Sequence, residues 1–295
     1  MRVNPNPMPD LLAALNQTQL AAQQASLQIS TGRSVNEPSD DPTAAALLVD
    51  NNDQSTLNGA YLQSISAVQG QLSTADSTLA SITSALQQAL SLGVEAGGGT
   101  LSAGDQAAIV TQLQGIQSQI LSLANTAYQG HYVFAGTNTN TAPFALDNAA
   151  PSGVQYLGNA GVNQVSLGAG YQISINVPGS QLFSAAGNDV FLAVNNLIEA
   201  VQTNSGIPAA VNAISSASSY LSAQGVFYGN AIDQTRSQTT YLNAAQLQIS
   251  QQETTLAAVD LPSAATNLAQ AQTDTQAALA AISKMTQNNL FDYLP

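Results

Sequence analysis

The sequence of 295 residues contains no cysteine, no tryptophan and a single histidine. Only 7% of its residues are charged, against about 25% in an ordinary soluble domain. Without cysteine the chain can form no disulfide framework, thiolate metal site or cysteine nucleophile. With His131 alone, a metal site built from several histidines is also excluded. The composition therefore predicts no metal ion and no cofactor.

Positive charge is almost as scarce: 4 basic residues stand against 17 acidic ones, a net charge of −13. Such a chain cannot neutralise a run of phosphates, which argues against nucleic-acid binding. No apolar run approaches the roughly 20 residues that span a bilayer, so membrane insertion is not predicted. The first 20 residues hold early prolines and no apolar core. We therefore expect no cleaved signal peptide.

Two long stretches carry the apolar pattern of a coiled coil. From Tyr61 to Ala89 the apolar residues recur with alternating spacings of 4 and 3, the pattern by which helices pack along a seam. A glycine-rich break at 95–106 precedes a return helix, with Ser102 and Asp105 as its starting caps. This helix is expected to run antiparallel to the first stretch and to end at Gly130. A second seam, polar at several positions, runs through 211–259.

Between these stretches, residues 131–187 hold short β-rich runs separated by turn residues. The predicted fold is therefore mainly α with a small β-rich insert: an elongated, long antiparallel helical bundle or coiled coil with both chain ends helical. Five segments are expected. They are an N-terminal assembly helix (1–35) that pairs with a C-terminal one (260–295), two halves of a helical rod (36–130 and 188–259), and an outer insert (131–187).

The two chain ends carry apolar stripes on helices that have almost no charge. Such helices are marginally stable alone and need a partner to bury one face. Their position and low charge favour packing between subunits over a monomer core. The residues predicted to pack between subunits are Leu12, Leu15, Leu20, Ala22, Leu27, Ile29, Leu268, Ala271, Ala278, Ile282, Met285, Leu290, Phe291 and Leu294.

Carboxylate pairs and glycine motifs have structural explanations here. Asp41 before Pro42 is the pattern of a helix N-cap followed by a first-turn proline, which we prefer to an acid–base pair with Asp40. The acidic stretch 50–53 lacks the glycine of a calcium loop. The Gly-rich stretches 97–99 and 168–170 lack the residues that complete a phosphate-binding loop. No nucleophile motif accompanies His131, so no catalytic residue is predicted.

Three stretches resemble a known family. Residues 27–48, LQISTGRSVNEPSDDPTAAALL, and 269–294, AQAQTDTQAALAAISKMTQNNLFDYL, resemble the terminal regions of the bacterial flagellin superfamily. Residues 123–144, LANTAYQGHYVFAGTNTNTAPF, are similar to the helix-to-β junction of the hook-associated protein 3 family, the hook–filament junction proteins. One departure is His131, which stands where that family leads us to expect Arg or Lys.

The resemblance implies a non-enzymatic subunit of the flagellum that joins the hook to the filament. It implies export, unfolded and without a cleaved signal, through the flagellar type III apparatus to an extracellular position. Terminal helices that are disordered in the monomer would then pair in the assembled tube. The implied partners are a ring of the protein's own copies, flagellin, the inner hook-associated junction protein, and an export chaperone that recognises the C-terminal region.

Three other functions stay open at this point. The chain could be a short flagellin that forms the filament itself. It could be an enzyme housed in the β insert, with Asp147 and Asp189 as its acidic machinery. It could also be a glycan-binding surface protein, which the composition does not exclude.

Overall fold

The computed structural model describes residues 8–99 and 102–288, with side chains up to residue 284. This part of the chain is mainly helical, with short strands between the third and fourth helices, which confirms the predicted fold class. The helices are α1 (Met8–Thr31), α2 (Pro42–Gly97), α3 (Ala103–Ala124), α4 (Gly179–Phe183), α5 (Val190–Thr203), α6 (Ile207–Ala257) and α7 (Leu261–Asn288).

The strands form three separate antiparallel pairs. They are β1 (Ala127–Tyr128) with β2 (His131–Tyr132), β3 (Phe144–Leu146) with β4 (Val154–Tyr156), and β5 (Gln164–Gly168) with β6 (Tyr171–Ser174). No helix in the described ranges is both long enough and apolar enough to cross a membrane.

The chain divides into two compact units. The first unit takes in the described residues up to Leu57 and those from Ala244 onward, and the second is Asn58–Asn243. Helices α2 and α6 contribute residues to both units. The finer division into five segments remains a prediction.

The second unit is built on the seam of α2. Its apolar positions are buried at the predicted spacing: Ile65, Val68, Leu72, Ala75, Leu79, Ile82, Leu86 and Ala89. They belong to one core with buried residues of α3, α5 and α6. The helices α2 and α6 run antiparallel here, since Gln69 Nε2 donates to Thr235 Oγ1 at 3.0 Å while Gly97 lies close to Ile207.

Helix α3 starts as predicted but ends earlier. Ser102 and Asp105 form a capping box, in which each side chain accepts from the other's backbone N–H. The helix ends at Ala124, not at the predicted Gly130, because the Asn125 side chain bonds to β3. Its Oδ1 accepts from Phe144 N–H at 2.9 Å, and its Nδ2 donates to the Phe144 carbonyl at 2.8 Å.

Aromatic rings form the core of the insert. Phe144 packs against Tyr156, Phe183 and Phe191, and Phe134 packs against Phe183, with ring centroids 5.0 to 5.7 Å apart. A Cβ at Gly179 would lie 2.8 Å from the Phe144 ring, so the close approach requires glycine there.

The run at 181–183, predicted as β-rich, is instead part of the short helix α4. Pro178 is its N-cap residue, and the turn buries both Leu182 and Phe183 in the core. An alternating strand would place these two neighbouring side chains on opposite faces. Because both residues are buried on the same side, the segment forms a helical turn and not a strand.

Tyr228 attaches α6 to the segment that follows β6. Its side chain is fully buried, and its phenol oxygen accepts from the backbone N–H of Val177 at 3.2 Å. Burial raises the pKa of the Tyr228 phenol, so the group is neutral at all physiological pH values. Since Val177 is also buried, its N–H depends on this oxygen for a partner.

Two backbone hydrogen bonds join the residues that follow α1 to the C-terminal end of α6 and the residues just after it. The N–H of Ser34 donates to the Ala257 carbonyl at 2.7 Å, and the N–H of Val259 donates to the Gly32 carbonyl at 3.2 Å. Gly32 has φ of 69°, a left-handed conformation that ends α1 at low cost for glycine. From this junction α1 and α7 run antiparallel along each other, with Thr18 opposite Thr275.

Replacement of Tyr228 by Phe should destabilise the protein by about 1–3 kcal/mol, because the buried Val177 N–H loses its acceptor. Chemical denaturation monitored by circular dichroism measures the change. Tyr241→Phe, on the exposed face of the same helix, is the matched control and should change stability by less than about 0.5 kcal/mol. Equal stabilities of the two variants would contradict the role of this hydrogen bond.

Hydrogen exchange should be faster in α1 and α7 than in α5. Ala25 is the buried residue of α1, whereas α5 buries eight of its 14 residues. Since local opening is easiest where little apolar surface is buried, we expect exchange about tenfold or more faster in α1 and α7. Exchange monitored by mass spectrometry measures the rates, and equal protection of the three helices would contradict the prediction.

Candidate assembly surface

Helices α1 and α7 pack along a seam with coiled-coil spacing. The residues that lose solvent exposure recur at alternating spacings of 4 and 3 on both helices. On α1 they are Leu11, Leu15, Thr18, Ala22, Ala25 and Ile29, and on α7 they are Ala264, Leu268, Ala271, Thr275, Ala278 and Ile282. The hydroxyl oxygens of Thr18 and Thr275 are 3.2 Å apart. Small and polar residues thus alternate with large ones along this seam.

The structure separates the predicted packing residues into two groups. Seven of them lie in the seam: Leu15, Ala22, Ile29, Leu268, Ala271, Ala278 and Ile282. Three others are exposed, at 49% for Leu12, 65% for Leu20 and 44% for Leu27. The side chain of Met285, and residues Leu290, Phe291 and Leu294, lie outside what the structure describes. The seam residues therefore pack within the chain, whereas the packing of the three exposed leucines between subunits stays a prediction.

Some seam residues were not among those predicted. They are Leu11, Thr18, Ala25, Ala264 and Thr275. A search for the 4 and 3 spacing that admits threonine and alanine would have found them, since these residues pack well where two helices approach closely. A pattern of large apolar side chains alone includes Leu11 but leaves out the alanines and threonines.

Both helices are nearly free of charge. No charged residue occurs in 11–31, and α7 carries only Asp274 and Lys284. Surfaces without charge are desolvated at low cost, because no ion has to leave water. In a chain with net charge −13, surfaces with so few charges also repel each other little when two copies meet.

Asp40 and Asp41 organise the connection between α1 and α2. Asp41 Oδ1 accepts from the N–H groups of Thr43 and Ala44 at 2.9 and 3.0 Å, and Pro42 is the first residue of α2. Asp40 Oδ2 accepts from the N–H groups of Asn36 and Glu37 at 2.9 and 3.0 Å. Its Oδ1 accepts from Gln24 of α1 at 2.8 Å. Both carboxylates therefore act as structural acceptors here.

These donors lower the pKa of Asp40, with the Glu37 N–H contributing most, then the Asn36 N–H, and the Gln24 amide least. A carboxyl whose pKa is lower in the folded chain stabilises the fold at pH values above its unfolded pKa. That stabilisation disappears as the pH falls through the lower folded pKa.

The other acidic candidates also have structural partners. Asp147 Oδ1 accepts from Ala149 N–H at 2.9 Å in a turn, and Asp189 caps α5 by accepting from Leu192 N–H at 2.8 Å. Partial burial raises the pKa of Asp189. His131 is exposed, with Nδ1 3.3 Å from Thr139 Oγ1. The described residues contain no cluster of three or more His, Cys, Asp or Glu that could hold a metal ion.

Two family models match the chain. The model of the bacterial flagellin N-terminal helical region matches residues 7–139, and that of the C-terminal helical region matches residues 206–294. The flagellar hook-associated protein 3 of Escherichia coli is 33% identical over 190 residues, which are 60% of this chain and 58% of that protein. The protein of the same name from Salmonella typhimurium is 38% identical over 159 residues, which are 54% of this chain and 49% of that protein. The chain thus spans about half of these relatives' length.

Solved structures share the fold. The flagellar hook associated protein-3 of Legionella pneumophila superimposes with a TM-score of 0.64 at 12% identity, covering 70% of this chain and 98% of that one. The flagellar junction protein of the same organism superimposes with a TM-score of 0.59 at 13% identity, covering 72% and 100%. At these identities the likeness shows the architecture alone.

Asp40→Asn should remove a pH-dependent transition from the connection. In the natural chain, the amide resonances of Asn36 and Glu37 should shift as the pH falls below the ordinary aspartate value of 3.8, because Asp40 then takes up a proton. NMR titration of the two amides measures this. In the variant the transition should be absent, whereas the exposed Asp50→Asn control should retain it. A transition that persists in Asp40→Asn would contradict the assignment.

Proposed function

Since the chain belongs to the bacterial flagellin superfamily, we propose that it is a structural subunit of the bacterial flagellum that joins the hook to the filament. One observation carries the proposal most directly. The helices α1 and α7 near the two chain ends form a pair with few charged residues that buries few side chains and leaves large leucines exposed. A pair of this kind gains stability when neighbouring subunits cover its surface.

The identity of the related proteins supports the junction position. Two relatives named flagellar hook-associated protein 3 match at 33% and 38% identity. The subunit's partners in this proposal are a ring of its own copies, the inner hook-associated junction protein on one side and flagellin on the other. An export chaperone would bind the C-terminal region before assembly, and export would need no cleaved signal peptide.

The proposed role is structural and not enzymatic. The described acidic side chains considered for catalysis, Asp147 and Asp189, serve as acceptors for turns and a helix cap. The role of the β insert in this proposal is to form the outer surface of the subunit.

A second candidate is a short flagellin that forms the filament. The observation that favours it is that both matching family models describe flagellin itself. The two candidates differ in where the protein lies along the flagellum, since a junction protein occupies one short band and a flagellin the whole filament.

Immunogold labelling of isolated flagella tests the proposal. We expect a single band of label at the boundary between hook and filament. Label along the whole filament would favour the flagellin instead, and absence of label from the flagellum would contradict both.

A double variant tests the exposed leucines. Leu20→Gln with Leu27→Gln should reduce swimming to the level of a strain that lacks the protein, because the surface that neighbours cover becomes more polar. Leu146→Gln is the matched control, since Leu146 is 74% exposed but lies in the β insert. Normal swimming of the double variant would contradict a packing role for this face. Circular dichroism should show an unchanged fold in all variants.

A further inference from the structure

The helix α2 contains a stretch, residues 49–60, that buries no apolar side chain. We call it the polar stretch. Its less exposed positions are Asn51, Ser55, Asn58 and Gly59. Its two large apolar side chains, Val49 and Leu57, are 61% and 56% exposed. On α2, the buried core of the second unit begins only at Ile65. Because helices in proteins are stabilised mainly by packing of an apolar face, the polar stretch lacks its main support.

The amino acids of the polar stretch are also poor helix formers. Eight of its 12 residues are Asp, Asn, Ser, Thr or Gly. These types favour the helix little, because they lose more conformational entropy or bond to nearby backbone groups instead. Gly59 lies inside the helix, and a Cβ added to it would have open space around it. Packing therefore does not require glycine at this position.

Hydrogen bonds to α6 do not replace the missing apolar contacts. Gln246 Nε2 of α6 donates to Ser55 Oγ at 2.6 Å. In the described part of the chain, two buried side-chain atoms have no hydrogen-bond partner, and they are Asn51 Nδ2 and Gln246 Oε1. One belongs to the polar stretch and the other to the residue that contacts it. Since a buried polar atom without a partner opposes folding, both atoms weaken the pairing of α2 with α6 here.

We propose that the polar stretch is a local opening point of α2, at which the helix unwinds or bends while the core from Ile65 onward stays closed. Segments with little apolar burial open at the lowest free energy, and low helix propensity and unpaired polar atoms lower it further. In a subunit with the proposed function, such an opening allows α2 to adjust when neighbouring copies pack against the chain. The use of the opening, though not the opening itself, rests on the proposed function.

Hydrogen exchange of the full chain, followed by mass spectrometry, tests the opening. The amides of residues 53–64 donate to the carbonyls of the polar stretch, since each helical N–H bonds four residues back. Residues 72–86 belong to the buried seam of the same helix. We expect exchange at 53–64 to be at least about tenfold faster than at 72–86. Equal exchange in the two ranges would overturn the proposal.

Gly59→Ala raises the helix propensity of the polar stretch without adding a contact. It should slow exchange at 53–64 about fivefold and leave 72–86, α1 and α7 unchanged. Gly229→Ala is the matched control, because Gly229 also lies inside a long helix with open space around it. The control should leave 53–64 unchanged. If Gly59→Ala slowed α1 and α7 as much as 53–64, the whole first unit would open together, and a local opening point would be wrong.

Asn51→Leu combined with Gln246→Leu tests the two unpaired atoms. Apolar side chains remove both buried polar groups at once, so the melting temperature should be unchanged or higher. Added to Gly59→Ala, the two changes should slow exchange at 53–64 further than Gly59→Ala alone. No additional slowing would contradict the part assigned to the unpaired atoms.

The use of the opening is measured in cells whose only copy of the protein is this triple variant. Electron microscopy should show severalfold fewer filaments per cell than in cells with Gly229→Ala, and a normal number would overturn the use in assembly. The two proposals fail separately. Absence of immunogold label from the junction in cells with the natural protein overturns the proposed function, whereas the exchange rates decide the opening point by themselves.

Discussion

The seam of α2 is the contact on which the second unit depends. Between Ile65 and Ala89 its apolar side chains are buried at every seam position, and helices α3, α5 and α6 supply the rest of the core. The aromatic rings of the insert join the same core through Phe134 and Phe144. Loss of this burial would remove the support of both the helices and the insert, since burial of apolar surface is the main favourable contribution to folding.

In the first unit, the balance between buried apolar surface and lost backbone entropy is different. Its terminal helices meet through alanine and threonine more often than through leucine and isoleucine, so each contact buries little apolar surface. Ordering a residue opposes folding by about 1–2 kcal/mol of backbone entropy. In the proposed function, helices with so little burial gain stability when neighbouring subunits cover them, and their few charges keep the desolvation cost of that contact low. Low charge and sparse burial together therefore suit a chain end that is completed by assembly.

Polar side chains fix positions that apolar packing leaves free. Asn125 ends α3 by bonding to β3, Asp40 connects α1 to the turn before α2, and Tyr228 holds the segment after β6. Each acts by satisfying backbone groups, which apolar contacts cannot do. Asn51 is the exception, because its amide Nδ2 is buried without an acceptor in the described part of the chain.

By itself, the sequence determined the helical class, the seam of α2 with its spacing, the capping of α3 and the break before α7, because periodicity and caps depend on residues a few positions apart. The terminal stretches and residues 123–144 also indicated the family. Only the tertiary structure decided which terminal side chains face α7 and which, like Leu20, stay exposed. It also decided that α3 ends at Ala124, that residues 181–183 are helical, and that Asn51 Nδ2 has no acceptor among the described residues. The physical reason is that partners such as Phe144 for Asn125, or Thr275 for Thr18, are distant in sequence. Their contacts exist only once the chain has folded.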